Sequence, residues 1–144
     1  MANEAVIVEK LGEVKGGGVR YTCADANAIS KGTLLWFSDP KTISGAEVKP
    51  LNSVAAPAAG IANTAKEASD GQVTLGVDTD GIYDLLHNGG ANITAGQLVK
   101  LSGQNMIAPI TLAVDIVSGL VLGKALEDSD GTAAKTIQVK LVML

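Results

Sequence analysis

The segment Ile29-Ser-Lys-Gly-Thr-Leu-Leu-Trp-Phe-Ser38 returns 64 positions later as Ile93-Thr-Ala-Gly-Gln-Leu-Val-Lys-Leu-Ser102. Three further motifs recur in the same order: Gly-x-Ala at 60–62 and 123–125, Ser-Asp-Gly at 69–71 and 129–131, and Val-x-Leu at 73–75 and 139–141. The spacings between motifs differ by a few residues, as loop insertions would produce. Because the copies share turn and strand residues but no reactive side chain, the repeat predicts a doubled β-scaffold and not a catalyst.

Composition narrows the class of protein further. A chain of 144 residues with 47% apolar content can fold as one domain around its own core. The net charge is −4, and the 11 Lys and Arg residues form no basic cluster, so we expect no nucleic-acid partner. A single cysteine, Cys23, excludes an internal disulfide and a cysteine-rich zinc site.

The sequence also has neither the pattern of a membrane span nor that of a secretory signal. The most apolar stretch, 107–126, is interrupted by proline, glycine and charged residues, so we expect no membrane partner. The first residues lack the basic segment of a secretory signal. The sequence therefore indicates a protein made in the cytosol.

Hydrophobic periodicity is mostly two, which is typical of half-buried strands. The predicted strands are Val19 to Cys23, Thr33 to Ser38, Val73 to Val77, Ile82 to Leu86, Gln97 to Leu101, Ile116 to Leu122 and Thr136 to Leu144. Glycine, asparagine and aspartate turns separate them, and only 56–69 has the pattern of a helical turn. We predict a mainly β, compact sandwich or barrel-like single domain with an internal pseudo-repeat and at most one or two short helices.

Residues 5–11 are apolar on both alternating faces. The Gly16–Gly18 run separates the first twelve residues from the rest of the chain. We divide the chain into an extended N-terminal arm, 1–12, and a β-rich domain, 13–144. One interpretation makes the arm a first core strand; the other makes it a strand that pairs with a neighbouring subunit, because an unpaired apolar strand invites strand addition. The candidate contact residues of the arm are Ala2, Asn3, Glu4, Ala5, Val6, Ile7, Val8 and Leu11.

Aromatic residues are few, and two of them are adjacent. Trp36 and Phe37 should direct one ring to each face of their strand, so one ring is a core candidate and the other an interface candidate. Four aromatic side chains in all are a weak basis for a carbohydrate-binding platform.

Candidate chemistry is sparse, and we predict no catalytic residue, metal site or cofactor. The only histidine, His87, follows a strand and precedes Asn88-Gly-Gly90, which indicates a surface position. The acidic turn Asp78-Thr-Asp-Gly-Ile-Tyr-Asp84 resembles the start of a calcium loop but lacks the closing glutamate and the flanking helices of an EF-hand. Calcium binding at this turn stays open as an alternative.

The order of the motifs resembles a family of tailed-phage capsid decoration or cement proteins. The resemblance rests on Ile29-x-Lys-Gly-x-Leu-Leu-x-Phe37, the 60–62 motif, Val77 to Leu85, the 93–99 motif and Gly119-Leu-Val-Leu-Gly-Lys-Ala125, and it covers about 14–144. It implies a non-enzymatic virion protein that binds the outer surface of the expanded capsid. It further implies a homotrimer that clamps adjacent subunits of the major capsid protein.

Two other functions remain as alternatives. A tail or baseplate component would also use a small β-domain, and a carbohydrate-binding module displayed on a virion would need the aromatic platform discussed above. The enzyme alternative, a calcium-dependent hydrolase using Asp78, Asp80 and Asp84, is the weakest because no nucleophile accompanies the carboxylates.

Overall fold

A computed structural model describes residues 4–9, 19–39, 42–45, 57–102, 105–111, 113–117 and 119–142. Its elements, in chain order, are β1 Val6–Glu9, β2 Val19–Cys23, β3 Leu34–Asp39, β4 Thr42–Gly45, β5 Ala58–Ala62, β6 Thr74–Asp78, β7 Ile82–His87, β8 Leu98–Leu101, β9 Met106–Pro109, α1 Ala113–Val117, β10 Val121–Ala125 and β11 Lys135–Leu141. The prediction of a mainly β single domain with at most two short helices is confirmed.

The described strands form two barrels with the same topology. In the first barrel the strands close in the order β2-β4-β3-β5-β6, because β2 also pairs with β6. In the second barrel β9 pairs back onto β7, and the order is β7-β9-β8-β10-β11. Each barrel has one parallel pair, between its first and third strands, and its other pairs are antiparallel. The pseudo-repeat predicted from the sequence is therefore a repeat of whole barrels.

The strand registers show which residues correspond. In the parallel pairs Cys23 lies across from Ile43, and His87 lies across from Ile107, an offset of 64 positions in both strands. A bridge between two loops also recurs, from Ile29 to Lys66 and from Ile93 to Ser129. Cys23 and His87 are therefore counterparts, as are Lys66 and Ser129.

Two of the repeated motifs do not correspond in space. Ser129 is the counterpart of Lys66, so the Ser-Asp-Gly motif at 69–71 lies three positions further along its barrel than the one at 129–131. Leu75 pairs with Tyr21 while Ile137 pairs with Leu85, so the counterpart of Leu75 is Ile137 and not Leu141. The predicted equivalence of these two motifs is therefore wrong.

The Gly-x-Ala motif has a packing reason. A Cβ built on Gly60 would lie 2.5 Å from the carbonyl oxygen of Asp78, and one built on Gly123 would lie 2.4 Å from that of Lys140. Both distances are below any normal contact, so only glycine lets the fourth strand approach the fifth this closely. Glycine at these positions allows each barrel to close.

The larger of the two core clusters contains residues from both barrels. One cluster fills the first barrel, and a larger cluster fills the second and includes Leu34, Ala58 and Ile61 of the first. A buried hydrogen bond also crosses between barrels, from the backbone N–H of Leu34 to Asn105 Oδ1 at 2.9 Å. The barrels therefore share apolar and polar contacts, as expected for one domain.

Two local predictions were wrong. The segment 56–69 contains strand β5, whose residues are all buried, and not a helical turn. An uninterrupted apolar run of small residues has no periodicity that separates helix from strand. The predicted strand Ile116 to Leu122 is divided: α1 ends at Val117, and β10 begins at Val121 after a turn at Gly119, whose φ is +76°.

Candidate interaction surfaces

The N-terminal strand β1 lies across both barrels. Val6 is in register with Asp84 and Ile7 with Tyr83, so β1 adds antiparallel to β7 of the second barrel. The backbone N–H of Ala5 donates to the carbonyl of Gly32 in the first barrel at 2.6 Å. The segment 5–9 thus contacts both repeats within its own chain.

The candidate contact residues of the arm divide into two groups. Glu4, Ala5, Val6, Ile7 and Val8 are described, whereas Ala2, Asn3 and Leu11 lie outside the described residues. Ala5 packs against the larger core cluster, but the Val6 side chain is 60% exposed. Among the described strands, β1 pairs with β7 alone, so it stands at the edge of its sheet. Its position matches the first interpretation of the sequence, a strand of the domain, and it leaves the binding of a partner as a prediction.

Trp36 and Phe37 lie on opposite faces of β3, as expected. Phe37 packs against the core of the first barrel and meets Tyr21 edge-to-face, with ring centroids 5.2 Å apart and planes at 74°. Trp36 packs against the larger cluster, which lies mainly in the second barrel. Both rings are half-buried, and a role for either at an interface stays a prediction.

The acidic turn after β6 does not gather its carboxylates. Asp78 is buried, where it accepts hydrogen bonds from the Tyr83 hydroxyl and from Asn63 Nδ2. Asp80 is exposed, and Asp84 lies on β7 opposite β1. Across the described ranges no three His, Cys, Asp or Glu side chains form a cluster that could hold a metal ion.

A pocket of about 120 Å³ opens beside the buried Asp78. It lies where the N-terminal segment meets both barrels, and its lining consists of Ala5, Lys31, Gly32, Ala62, Asn63, Asp78 and Tyr83. Because the Asp78 carboxylate already accepts two hydrogen bonds, its contacts account for a structural role. These contacts join β6 and β7, the last strand of one barrel and the first of the next.

His87 is fully buried, so the predicted surface position is wrong. Its Nδ1 lies 2.7 Å from Ser129 Oγ, and its Nε2 has no hydrogen-bond partner among the described residues. Burial lowers the pKa of the imidazole below its ordinary value. The alternation of β7 accounts for the error, because His87 continues the inward positions of Tyr83 and Leu85. Cys23 and His87 occupy equivalent positions of different barrels.

Lys66 is a buried residue that the sequence analysis missed. Its side chain is inaccessible to solvent, and Nζ donates to the carbonyls of Asp25, Asn27 and Glu67 at 2.8, 3.0 and 2.8 Å. Nζ also lies 3.4 Å from Asp70 Oδ1. The ammonium therefore satisfies the backbone of the 25–27 loop, which is a structural and not a catalytic task. Lys66 lies four residues after Ala62, and Ser129 lies four residues after Ala125, in the repeated Gly-x-Ala motif. This shared spacing is the sequence signal that would have identified Lys66.

Helix α1 presents aliphatic side chains to solvent. Val114 and Val117 are 56% and 84% exposed, and Ile116 is exposed as well. Between them the Asp115 carboxylate turns inward and meets Lys100 Nζ at 3.0 Å. Exposed aliphatic side chains grouped on one short element are typical of a contact surface. No helix in the described part of the chain is long and apolar enough to cross a membrane.

Comparison with known proteins identifies the family. Residues 13–141 match the family model described as phage cement protein. The matched range includes both barrels and leaves β1 outside. No curated protein matches the sequence. The resemblance drawn from the order of the motifs is confirmed.

Proposed function

Because the chain belongs to the phage cement protein family, we propose that it binds the outer surface of the expanded capsid and holds adjacent major capsid subunits together. The family is one of virion structural proteins, and its role is associated with the capsid. The observation that carries the proposal is the match over both barrels. We propose that the protein acts without catalysis, as a rigid body that carries contact surfaces.

The N-terminal segment is the proposed capsid contact. Val6 exposes 60% of its side chain on an edge strand, and the outer edge of β1 pairs with no other described strand. An edge strand offers backbone donors and acceptors to an extended segment of a partner. We propose that Ala2 to Leu11 adds to a strand of the major capsid protein while β1 keeps its register with β7.

Self-association is proposed to use the barrels themselves. A cyclic trimer would carry three N-terminal segments to several capsid subunits, and each contact after the first would become intramolecular. Among the described residues, the exposed aliphatic residues of α1 and the half-buried Trp36 and Phe37 offer apolar surface for such packing.

Binding to purified expanded heads, with tail tubes as the comparison, tests the proposal. We expect cosedimentation with heads and not with tubes; binding to tubes alone would assign the protein to the tail. Deletion of 1–12 should abolish binding to heads while leaving a folded, cooperatively melting protein. Retained binding by the deletion variant would contradict the role of the arm.

A matched pair of point variants separates contact from folding. Val6→Asp should weaken binding to heads at least about tenfold, because it places a charge in the proposed apolar contact. Val73→Asp is the control, since Val73 is 52% exposed on a strand-flanking loop of the other barrel. Equal binding by both variants would contradict the proposed contact.

A further inference from the structure

We propose that the outer edge of β2, at Arg20, accepts an extended segment of the major capsid protein as an additional strand. The inference rests on the proposed function and deepens it by naming a second contact. The strands of the two barrels correspond in order. The edge in question is the counterpart of the edge of β7 that β1 covers.

In the second barrel, two strands share one edge of β7. The second half of that edge pairs with β9 through Leu86 and His87. The first half pairs with β1 through Ile82, Tyr83 and Asp84. Both halves of this edge of β7 are therefore paired with another strand.

In the first barrel, the described strands cover the same edge of β2 in its second half alone. Thr22 and Cys23 pair with β4, as Leu86 and His87 pair with β9. The counterpart of the β1 position falls at 18–20, and no strand of the described ranges pairs with β2 there except β6, on its opposite edge. Since β1 already lies on β7, it cannot cover this edge in the same molecule.

Alternation of the backbone identifies the group that faces outward. The N–H of Cys23 donates to the carbonyl of Val73, on the side of β6. Successive residues of a strand direct their backbone groups to opposite edges, so Arg20 has its N–H and carbonyl on the other side. In the second barrel the carbonyl of Gly81 accepts from Leu141 on β11, so Asp84 directs its backbone groups toward β1 by the same alternation.

The side chain at this edge defines the chemistry of the occupant. Arg20 is exposed, and its Nη1 donates to Thr74 Oγ1 at 3.1 Å, which holds the guanidinium over the outer face of the barrel. An added strand that carries an acidic side chain across from Arg20 would gain a charged pair beside two backbone hydrogen bonds. The occupant is therefore an extended segment of the capsid protein with an acidic residue at that register.

Two variants of one residue separate backbone pairing from charge. Arg20→Pro removes the outward N–H without touching a backbone hydrogen bond between β2 and β6, and we expect at least a tenfold loss of binding to purified expanded heads. Arg20→Ala keeps the N–H and loses the guanidinium with its hydrogen bond to Thr74, as Arg20→Pro also does, so its loss of binding should be only a few-fold. Equal binding by Arg20→Pro and the wild type would overturn the inference while the proposed function stands.

Amide hydrogen exchange on the wild-type protein tests the edge even if Arg20→Pro does not fold. We expect the Arg20 amide of the free protein to exchange at least tenfold faster than the Asp84 amide, and to slow when heads are added. Equal protection of the two amides in the free protein would overturn the inference, because the chain would then cover its own edge. Failure of the wild type to bind heads would overturn the inference together with the proposed function.

Discussion

The first barrel closes over a buried ammonium, and the second closes over a neutral hydrogen-bonded pair. Lys66 donates to three carbonyls, whereas its counterpart Ser129 meets His87 at 2.7 Å. At the counterpart of His87 the first barrel has Cys23, which is also buried. The two barrels therefore share topology and glycine positions but differ in how they satisfy the loops over their ends. Both barrels have the same backbone arrangement, whereas the polar groups buried inside them differ.

The largest loss of stability in either repeat should come from substitution of their shared glycines. Gly60→Ala places a Cβ 2.5 Å from a carbonyl oxygen and also occupies a φ of +136°, whereas Gly123→Ala meets a similar close contact without a positive φ. We expect Gly60→Ala to lower the free energy of unfolding by about 4 kcal/mol and Gly123→Ala by about 3 kcal/mol. Chemical denaturation of both variants measures the difference. A loss under 1 kcal/mol in both would contradict the close approach of the fourth and fifth strands.

Removal of the buried ammonium should be the next largest effect. Lys66→Met leaves the carbonyls of the 25–27 loop without their donor, and we expect a loss of about 3 kcal/mol in the free energy of unfolding. Ser129→Ala is the matched variant of the second barrel, with an expected loss of about 1 kcal/mol because one neutral hydrogen bond disappears. If Ser129→Ala proved the more costly of the two, the comparison of the barrels would be reversed.

The pH dependence of stability should differ in direction between the counterparts. Burial lowers the pKa of His87, so the unfolded chain binds a proton as pH falls through about 6.5 while the native chain resists it. Stability is then lost on acidification, by at most about 1.4 kcal/mol for each pH unit. Burial raises the pKa of Cys23 above its ordinary 9.0, so the unfolded thiol ionises first and stability is lost as pH rises above 9.0.

Each variant should remove only its own branch of the pH profile. We expect His87→Gln to flatten the fall in melting temperature between pH 6.5 and about 5 without changing the alkaline branch. Cys23→Ala should flatten the alkaline branch and leave the acidic one. Identical profiles for the wild type and both variants would show that neither buried group titrates differently in the native and unfolded chains.

The smallest effect should lie beneath α1. Lys100 is the counterpart of Trp36, and it replaces that apolar contact with an ion pair to Asp115 at 3.0 Å. Because the pair is only partly buried, we expect Lys100→Met to cost about 1 kcal/mol of unfolding free energy. Exchange of the amides of α1 should rise more than that of β10. Unchanged exchange in α1 would show that the ion pair does not hold this helix.

The sequence predicted the parts of the fold that depend on short-range pattern. The repeat of Ile29–Ser38 as Ile93–Ser102 placed β3 and β8 correctly, because alternation and turn residues are local signals. It could not place β5, where the run Ala58–Ala62 is buried on both faces and has no alternation. Closure of each barrel depends on pairing between its first and last strands, which no local pattern records.

The polar interior was the least predictable part of the candidate site. His87 precedes a glycine-rich turn, and Lys66 carries a charge, so each resembles a surface residue in sequence. Their burial follows from the register of strands far apart in the chain, and neither partner lies nearby: Ser129 is 42 positions from His87, and Asp25 is 41 positions from Lys66. The family, by contrast, was recognisable because the order of weak motifs survives where each one alone carries little information.

The register of β1 determines when the N-terminal segment can dock. Val6 pairs with Asp84, which the ribosome adds 78 residues later, so β1 is synthesised before the whole first barrel and its partner strand after it. Loop closure over that span is slow compared with the local hairpins of either barrel. Docking of β1 is thus a late folding event, and a molecule with its N-terminal strand in place has already begun its second barrel.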